Sequence, residues 1–447
     1  MTFRKSRRAL SLISAAISLL ALVSCGGGSS GAPGSTACDV DSQKSWLRNY
    51  MQDWYFWSGA SPNPEPTGFT TVQSYFDALR FQGTQGAGAV PADRWSYISD
   101  AASFNQFFGE GKTLGYGVFV NGLELQLPLK VRFIEAQSPA ATQGLVRGDV
   151  IESINGRTAA ELIAANDFSA LNPALAGDTL TLQISNSAGV RTLTLIAATY
   201  SLTPVPVSTV LTLANGTKAG YLVLKDFITQ AEAPLVAAFN SFRSAGATEL
   251  ILDLRYNGGG RISTSNVLAS LVAGSSHNGQ VFSSLNYNAN HSSSNASYTL
   301  ASSATGFARV VVITGSRTCS ASELIVNGLK PYVQVVTVGA QTCGKPFGFN
   351  PTTSCSSTFS AVNFEAFNAL GDGRYYNGIA ATCAAADTFS GQLGDPTEAL
   401  TSAATSYLQT GSCPTVAAAA RAKSLPASSR ATTALPEPGE RRGMWVD

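Results

Sequence analysis

A multidomain α+β architecture is predicted by three changes of pattern along the 447 residues. Apolar and aromatic side chains recur at helical spacing over 38–104. Hydrophobic and polar residues alternate at strand spacing over 105–198, and buried-type strands alternate with helices over 199–413. A chain this long exceeds one ordinary core, so two to three domains are expected. With 44% hydrophobic and 13% charged residues, it has the composition of a globular protein.

Residues 1–24 read as an export leader. Arg4, Lys5, Arg7 and Arg8 precede an apolar run from Ala9 to Val23 that is too short for a stable spanning helix. The run ends in Leu22-Val23-Ser24-Cys25, which resembles the bacterial lipobox. By that resemblance Cys25 is lipidated and becomes the new N-terminus, so a membrane partner through a lipid anchor is expected. Residues 25–37, with Gly26-Gly27-Gly28-Ser29-Ser30-Gly31, read as a flexible tether. Gly26 is not aspartate, which by the sorting pattern of such lipoproteins implies the outer membrane, facing the periplasm. Without the four basic leader residues the formal charge changes from +1 to −3. No basic stripe remains, which argues against nucleic-acid binding.

Six further cysteines follow: Cys38, Cys319, Cys343, Cys355, Cys383 and Cys413. An even set in an exported chain predicts disulfides, with the pairing left open. No CxxC or His-rich spacing suggests a metal, and no cofactor is implied.

The segment 38–104 is helical and aromatic in pattern. Ser45 to Trp57 and Val72 to Leu79 carry apolar residues at helical spacing, with Pro62, Pro64 and Pro66 marking the connection. From 105 to 198, Leu123, Leu125, Leu127, Leu129, Val131 and Phe133 alternate with more polar partners and predict a half-buried strand. Asp149 to Ile154 before Asn155-Gly156 predicts a hairpin, and a second hairpin joins Leu180–Ile184 to Val190–Ile196.

This middle segment resembles a PDZ domain. The matching pieces are Leu114-Gly115-Tyr116-Gly117-Val118-Phe119, Ser138-Pro139-Ala140, Gly144-Leu145, and Gly148-Asp149-Val150-Ile151 before Ile154-Asn155-Gly156. The resemblance implies that Leu114, Gly115, Tyr116 and Gly117 form a loop offering N–H groups to a peptide's C-terminal carboxylate. The peptide would then add as a strand to a sheet edge. The competing reading is a strand-rich domain with no ligand role.

Beyond residue 199, Gly220–Leu224, Glu249–Leu254 and Arg309–Thr314 read as buried strands. Ala231–Ala245 and a segment beginning near Ser320 read as helices. Residues 414–447, rich in Ala, Pro, Ser and Arg, are expected to be a disordered tail.

Three segments of the last domain suit one hydrolytic site. Asp253-Leu254-Arg255-Tyr256-Asn257-Gly258-Gly259-Gly260 is a strand ending in glycines, which present backbone N–H groups to an oxyanion; taken alone it is a glycine turn. Ser320-Ala321-Ser322-Glu323 is a nucleophile candidate and equally a helix capping box, with the Ala321 amide placed as a second oxyanion donor. Lys345 stands among Pro346, Phe347 and Phe349, where burial would favour the neutral amine. The chain has only two histidines, His277 and His291, both in a polar Gly/Ser/Asn stretch, so a lysine base is the better match to a serine nucleophile.

Together these segments resemble the carboxyl-terminal processing, or tail-specific, serine proteases. The resemblance spans roughly 43–405 and includes Asp93-Arg94-Trp95-Ser96-Tyr97. It implies a ClpP/crotonase-type α/β protease domain, Ser320 as nucleophile and Lys345 as general base. Gly259, or its neighbour Gly260, and Ala321 would be the oxyanion donors. Substrates would be proteins or peptides with free, apolar C-terminal tails. The chain departs from the pattern at Pro331 and Phe349, where family members place an orienting aspartate or glutamine, and at Gly258 and Pro346. Glu323 is a candidate for the missing third residue. The alternative function is a catalytically weak or inactive peptide-binding lipoprotein on the same scaffold.

Overall fold

The computed structural model describes residues 37–414 and 443–446. The leader, Cys25, the tether and most of the tail lie outside them. Among the described residues no helix is long and apolar enough to cross a membrane.

Helices α1 (Val40–Trp54), α2 (Val72–Leu79) and α3 (Ala101–Phe108) form the N-terminal layer. Each is started by a short polar side chain, Asp39, Thr71 or Asp100, that accepts from a first-turn N–H group. The aromatics of this segment turn inward: Trp57, in the turn after α1, packs on Phe81, Trp95 and Phe347.

A strand-rich unit follows. Strand β1 (Lys112–Gly115) pairs with β7 (Ala198–Ser201), and β2 (Val118–Val120) pairs with β3 (Val131–Ile134). Strand β4 (Val150–Ile154) joins the hairpin of β5 (Thr179–Asn186) and β6 (Gly189–Ile196). Its own core gathers Val118, Leu129, Val131, Leu145, Ile151, Leu180, Leu182 and Leu195. The long strand expected from Leu123 to Phe133 is not formed. Gly122–Glu124 is a 3-10 turn, and only Val131–Ile134 is extended. Asn121 closes this loop, its Oδ1 accepting from the Lys130 amide at 2.6 Å. Leu127, 60% exposed, faces solvent where the alternation placed it in a half-buried strand.

The last unit is layered α/β. Its main sheet orders β8 (Val207–Thr212), β9 (Lys218–Val223), β10 (Glu249–Asp253), β14 (Arg309–Thr314), β15 (Gln334–Gly339) and β18 (Cys383–Ala384). All pairs but the first are parallel. Both faces are covered, which is why these strands are apolar throughout. Leu222, Leu250, Leu252, Val310 and Val312 face α5 (Glu232–Ser244), α6 (Ile262–Ala273) and α7 (Ala321–Leu329). The alternate residues Tyr221, Ile251, Val311 and Ile313 face α8 (Ala399–Thr410).

A second sheet orders β11 (Gly259–Arg261), β19 (Gly443–Trp445), β16 (Phe347–Phe349), β17 (Val362–Phe367), β12 (Val281–Tyr287) and β13 (Ala296–Thr299). Gly443–Val446 is therefore structured, where the composition pointed to an unstructured tail. Three disulfides close the fold: Cys38–Cys355, Cys319–Cys343 and Cys383–Cys413.

Candidate active site

Strand β10 ends at Asp253, and the next four residues build the floor of the site. Asp253 accepts from Tyr221 Oη at 2.6 Å and from Arg255 Nε at 2.9 Å. Arg255 then grips both oxygens of Glu398, at 2.7 and 3.0 Å, a bidentate pair that is buried on both sides. Burial pushes the Glu398 carboxyl up, but the hydrogen bonds and charge of Arg255 outweigh it and hold the group below the usual range.

Asn257 joins three segments. Its Nδ2 donates to Leu224 O at 2.9 Å, its Oδ1 accepts from the Gly259 amide at 2.8 Å, and its carbonyl accepts from the Cys319 amide and the Ser322 hydroxyl, each at 3.0 Å. Thr318 adds a further tie, donating to Leu254 O at 2.8 Å. The Gly259 amide is thus engaged internally. Gly259 O and the Arg261 amide pair with Phe227, so by strand alternation the polar groups of Gly260 face the opposite edge. Gly260 sits at φ +141°, and a Cβ there would lie 2.1 Å from Phe227 O, so only glycine fits.

Ser320 stands at the N-terminus of α7 with φ 61° and ψ −113°, a conformation that L-residues rarely adopt. The residue is fully buried, and its Oγ has no hydrogen-bond partner among the described residues. Strain and an unsatisfied hydroxyl in one buried residue are marks of a functional position. The Ala321 amide is the first N–H of α7, among those with no intrahelical acceptor.

Glu323 is the hub. Fully buried, it accepts from the amides of Ser320 (2.9 Å), Gly344 (2.8 Å) and Lys345 (2.8 Å) and from the Thr342 hydroxyl (2.5 Å). Burial pushes its carboxyl above the usual glutamate range, against these four hydrogen bonds, which lower it. Because Ser320 and Lys345 donate to the same oxygen, Oε2, their backbones lie side by side. The Cys319–Cys343 disulfide and a 3.0 Å bond from the Cys343 amide to Thr318 O staple the same two loops.

Lys345 is 1% exposed, with Nζ 3.7 Å from the centroid of the Phe349 ring. Phe349 thus meets the lysine directly from the position where a glutamine was expected in relatives. Pro331 lies beyond the end of α7. His291 stacks on Trp54 and pairs with Asp53, and His277 packs on Tyr332, so both histidines have partners elsewhere.

In the strand-rich unit, Leu114 and Gly115 end β1, and Tyr116 is buried. Gly117 has φ +75°, and a Cβ there would overlap Ser138, at 2.0 Å. The unit meets the site through buried contacts. Arg147 donates to Tyr256 Oη and, at 2.6 Å, to Asp387, while Arg317 pairs with Glu124. Sequence reasoning included Asn257 only within the Asp253–Gly260 segment and missed Arg147 and Glu398. A buried polar residue at a strand end is the signal that marks Asn257; Glu398 carries none.

A buried serine on a strained turn, beside a buried lysine and a glycine strand on an α/β scaffold, defines the serine-peptidase class of site. Two segments of the chain match models of peptidase family S41. Residues 218–373 match the model of peptidase family S41, and 42–97 match the peptidase S41 N-terminal domain. Two relatives are the carboxyl-terminal-processing proteases of Picosynechococcus and Synechocystis. Each is 28% identical, over 53% of this chain and 54% and 52% of their own lengths. The chain thus spans about half the length of the curated relatives it matches. A putative S41 protease from Bacteroides fragilis shares the fold, with a TM-score of 0.64 at 23% identity, over 82% of this chain and 97% of that one.

Proposed function

We propose that the chain is a lipid-anchored Ser/Lys endopeptidase of the bacterial envelope, acting on exported proteins or peptides through their C-terminal tails. The observation that carries this reading is the shared carboxylate: Glu323 binds the amides of both Ser320 and Lys345. The backbone of a strained serine, with its Oγ unpaired, thereby lies next to that of a buried lysine. In this reading the neutral Lys345 amine takes the Ser320 proton as Oγ attacks the scissile carbonyl. The tetrahedral oxyanion is met by the amides of Gly260 and Ala321. Collapse releases the new amine, which takes the proton from Lys345, and leaves an acyl-enzyme on Ser320. Water, activated by the same lysine, then frees the acid. The PDZ-like unit, through Leu114 to Gly117, captures the tail carboxylate, and Cys25 carries the anchor.

A second reading, a peptide-binding lipoprotein that does not cleave, is favoured by Phe349. It presents an aromatic ring to Lys345 Nζ from the position where the family pattern expects a glutamine. The two separate in one assay. The chain from residue 37, made under oxidising conditions, is given an unfolded reporter with an apolar free C-terminus, beside Ser320→Ala and Lys345→Ala. Cleavage lost by ~10³-fold or more in both variants is expected for a nucleophile and its base. Cleavage that survives Ser320→Ala refutes the assignment, and reporter binding without cleavage by any form establishes the second reading.

A further inference from the structure

The sheet that carries both arms of the site is completed by a distal segment of the same chain. Strand β19 lies between β11 and β16 and is parallel to both. Its register is Gly259↔Gly443, Gly260↔Met444 and Arg261↔Trp445 on one side and Phe349↔Trp445 on the other. The Val446 amide extends the pairing, donating to Phe349 O at 3.2 Å. Strands β11 and β16 do not pair with each other. With neighbouring strands ~4.8 Å apart, the space between them is one strand wide.

The walls of this slot are the site itself. Strand β11 presents the polar edge of Gly260, and β16 begins two residues after Lys345. Glycine shapes both walls. A Cβ at Gly348 would lie 2.1 Å from the Phe364 ring and 2.7 Å from Met444 O, so the missing side chain lets β16 pack close to both. The occupant is gripped by its side chains as well. Met444 is fully buried in the main core, and Trp445 packs edge-on against Phe108, with ring centroids 3.9 Å apart. Main-chain pairing combined with apolar side-chain pockets is how a peptide is recognised by strand addition. The edge of Gly260 serves one strand at a time, so β19 and a substrate strand exclude each other.

We propose that Met444–Val446 is a cis-acting ligand of the substrate slot. The chain holds its own apolar segment where an extended, bulky-apolar peptide binds, and cleavage requires that segment to leave. This rests on the peptidase reading of β11 and β16.

The test pairs the chain from residue 37 with the same chain stopped after Arg442, each also as Ser320→Ala. A fluorescein-labelled Gly-Met-Trp-Val-Asp peptide is titrated by anisotropy against the two Ser320→Ala forms. Binding about tenfold or more tighter to the shortened form is expected, with faster reporter cleavage by the shortened active form. Equal binding to both forms, or to neither, overturns the proposal. Because losing β19 opens the core, hydrogen exchange on the full chain provides a second readout. Excess reporter should speed exchange at Met444–Val446; unchanged exchange while reporter is bound overturns the proposal. The two readings fail separately. Cleavage identical with and without 443–447 sinks the cis ligand and leaves the peptidase, whereas unequal peptide binding without any cleavage sinks the peptidase and leaves the slot.

Discussion

Glu323 shows how one buried carboxylate ties two loops of a site together. Its two oxygens receive four donors from two loops that are far apart in sequence. Replacing it with glutamine turns one acceptor into a donor that faces buried N–H groups. Glu323→Gln should therefore cost about 2–4 kcal/mol of stability. It should also depress kcat far more than KM and slow labelling of Ser320 by a fluorophosphonate; unchanged labelling would show the carboxylate to be structural only. Glu135, buried beside Asp226, makes a pH-dependent prediction. Burial, then the charge of Asp226, raises its carboxyl to about 7, with Lys225 opposing. Between the ordinary glutamate range and about 7 the folded chain holds a proton that the unfolded chain has lost. Stability from this group is thus present at low pH and fades as pH rises through about 7. Glu135→Gln should melt higher than the parent at pH 8, by about 1–3 kcal/mol in stability, with no gain at pH 5.

The nucleophile turn, α7 and the loop carrying Lys345 form one mechanical piece, closed by the Cys319–Cys343 disulfide across 24 residues. A Cys319→Ala/Cys343→Ala chain should lose roughly 3 kcal/mol. It should also lose peptidase turnover at temperatures where it remains folded, because the freed loop no longer holds the Lys345 backbone beside that of Ser320. Removing Cys38–Cys355, which ties the start of α1 to the segment between β16 and β17, should lower stability but leave turnover intact. Comparing kcat with melting temperature for the two double variants checks both statements. Elements of this size were legible where burial writes a period. The hairpin of β5 and β6 alternates, and β10 and β14 are apolar on both faces, so each is formed where the sequence placed it. The Leu123–Leu129 alternation failed because Asn121 closes that stretch into a turn. A run of leucines in a loop mimics strand spacing without the neighbour a strand requires.

The strand-rich unit and the α/β unit meet through buried charge. The side chain of Arg147 is 3% exposed and faces Tyr256, Asp387 and Glu398, next to the Arg255 pair. Burial raises the Asp387 carboxyl, but the charges of Arg147 and Arg255 overcome this and keep it low. Arg147→Ala leaves those carboxylates short of a cation and should cost about 3–5 kcal/mol. Since Tyr256 adjoins Asn257, the loss should also be felt at the site. A drop in kcat under conditions where circular dichroism shows a folded chain would demonstrate that coupling; normal turnover would confine Arg147 to stability.

The residues themselves determined the chemistry available to this protein: a serine at a helix start, a lysine among aromatics, a glycine run beyond a buried strand, two histidines outside any motif, and the periodic elements that carry them. Tertiary structure alone decided which cysteines pair, that the Gly259 amide is taken by Asn257 and the polar edge of Gly260 turned to the slot, that Glu323 joins Ser320 to Lys345, and that Gly443–Trp445 enters the sheet at the site. The physical reason is range. Hydrophobic period and capping are written within a few neighbouring residues, whereas a three-residue strand has no period to read, and its place is set by the backbone edges and pockets of segments remote in the chain.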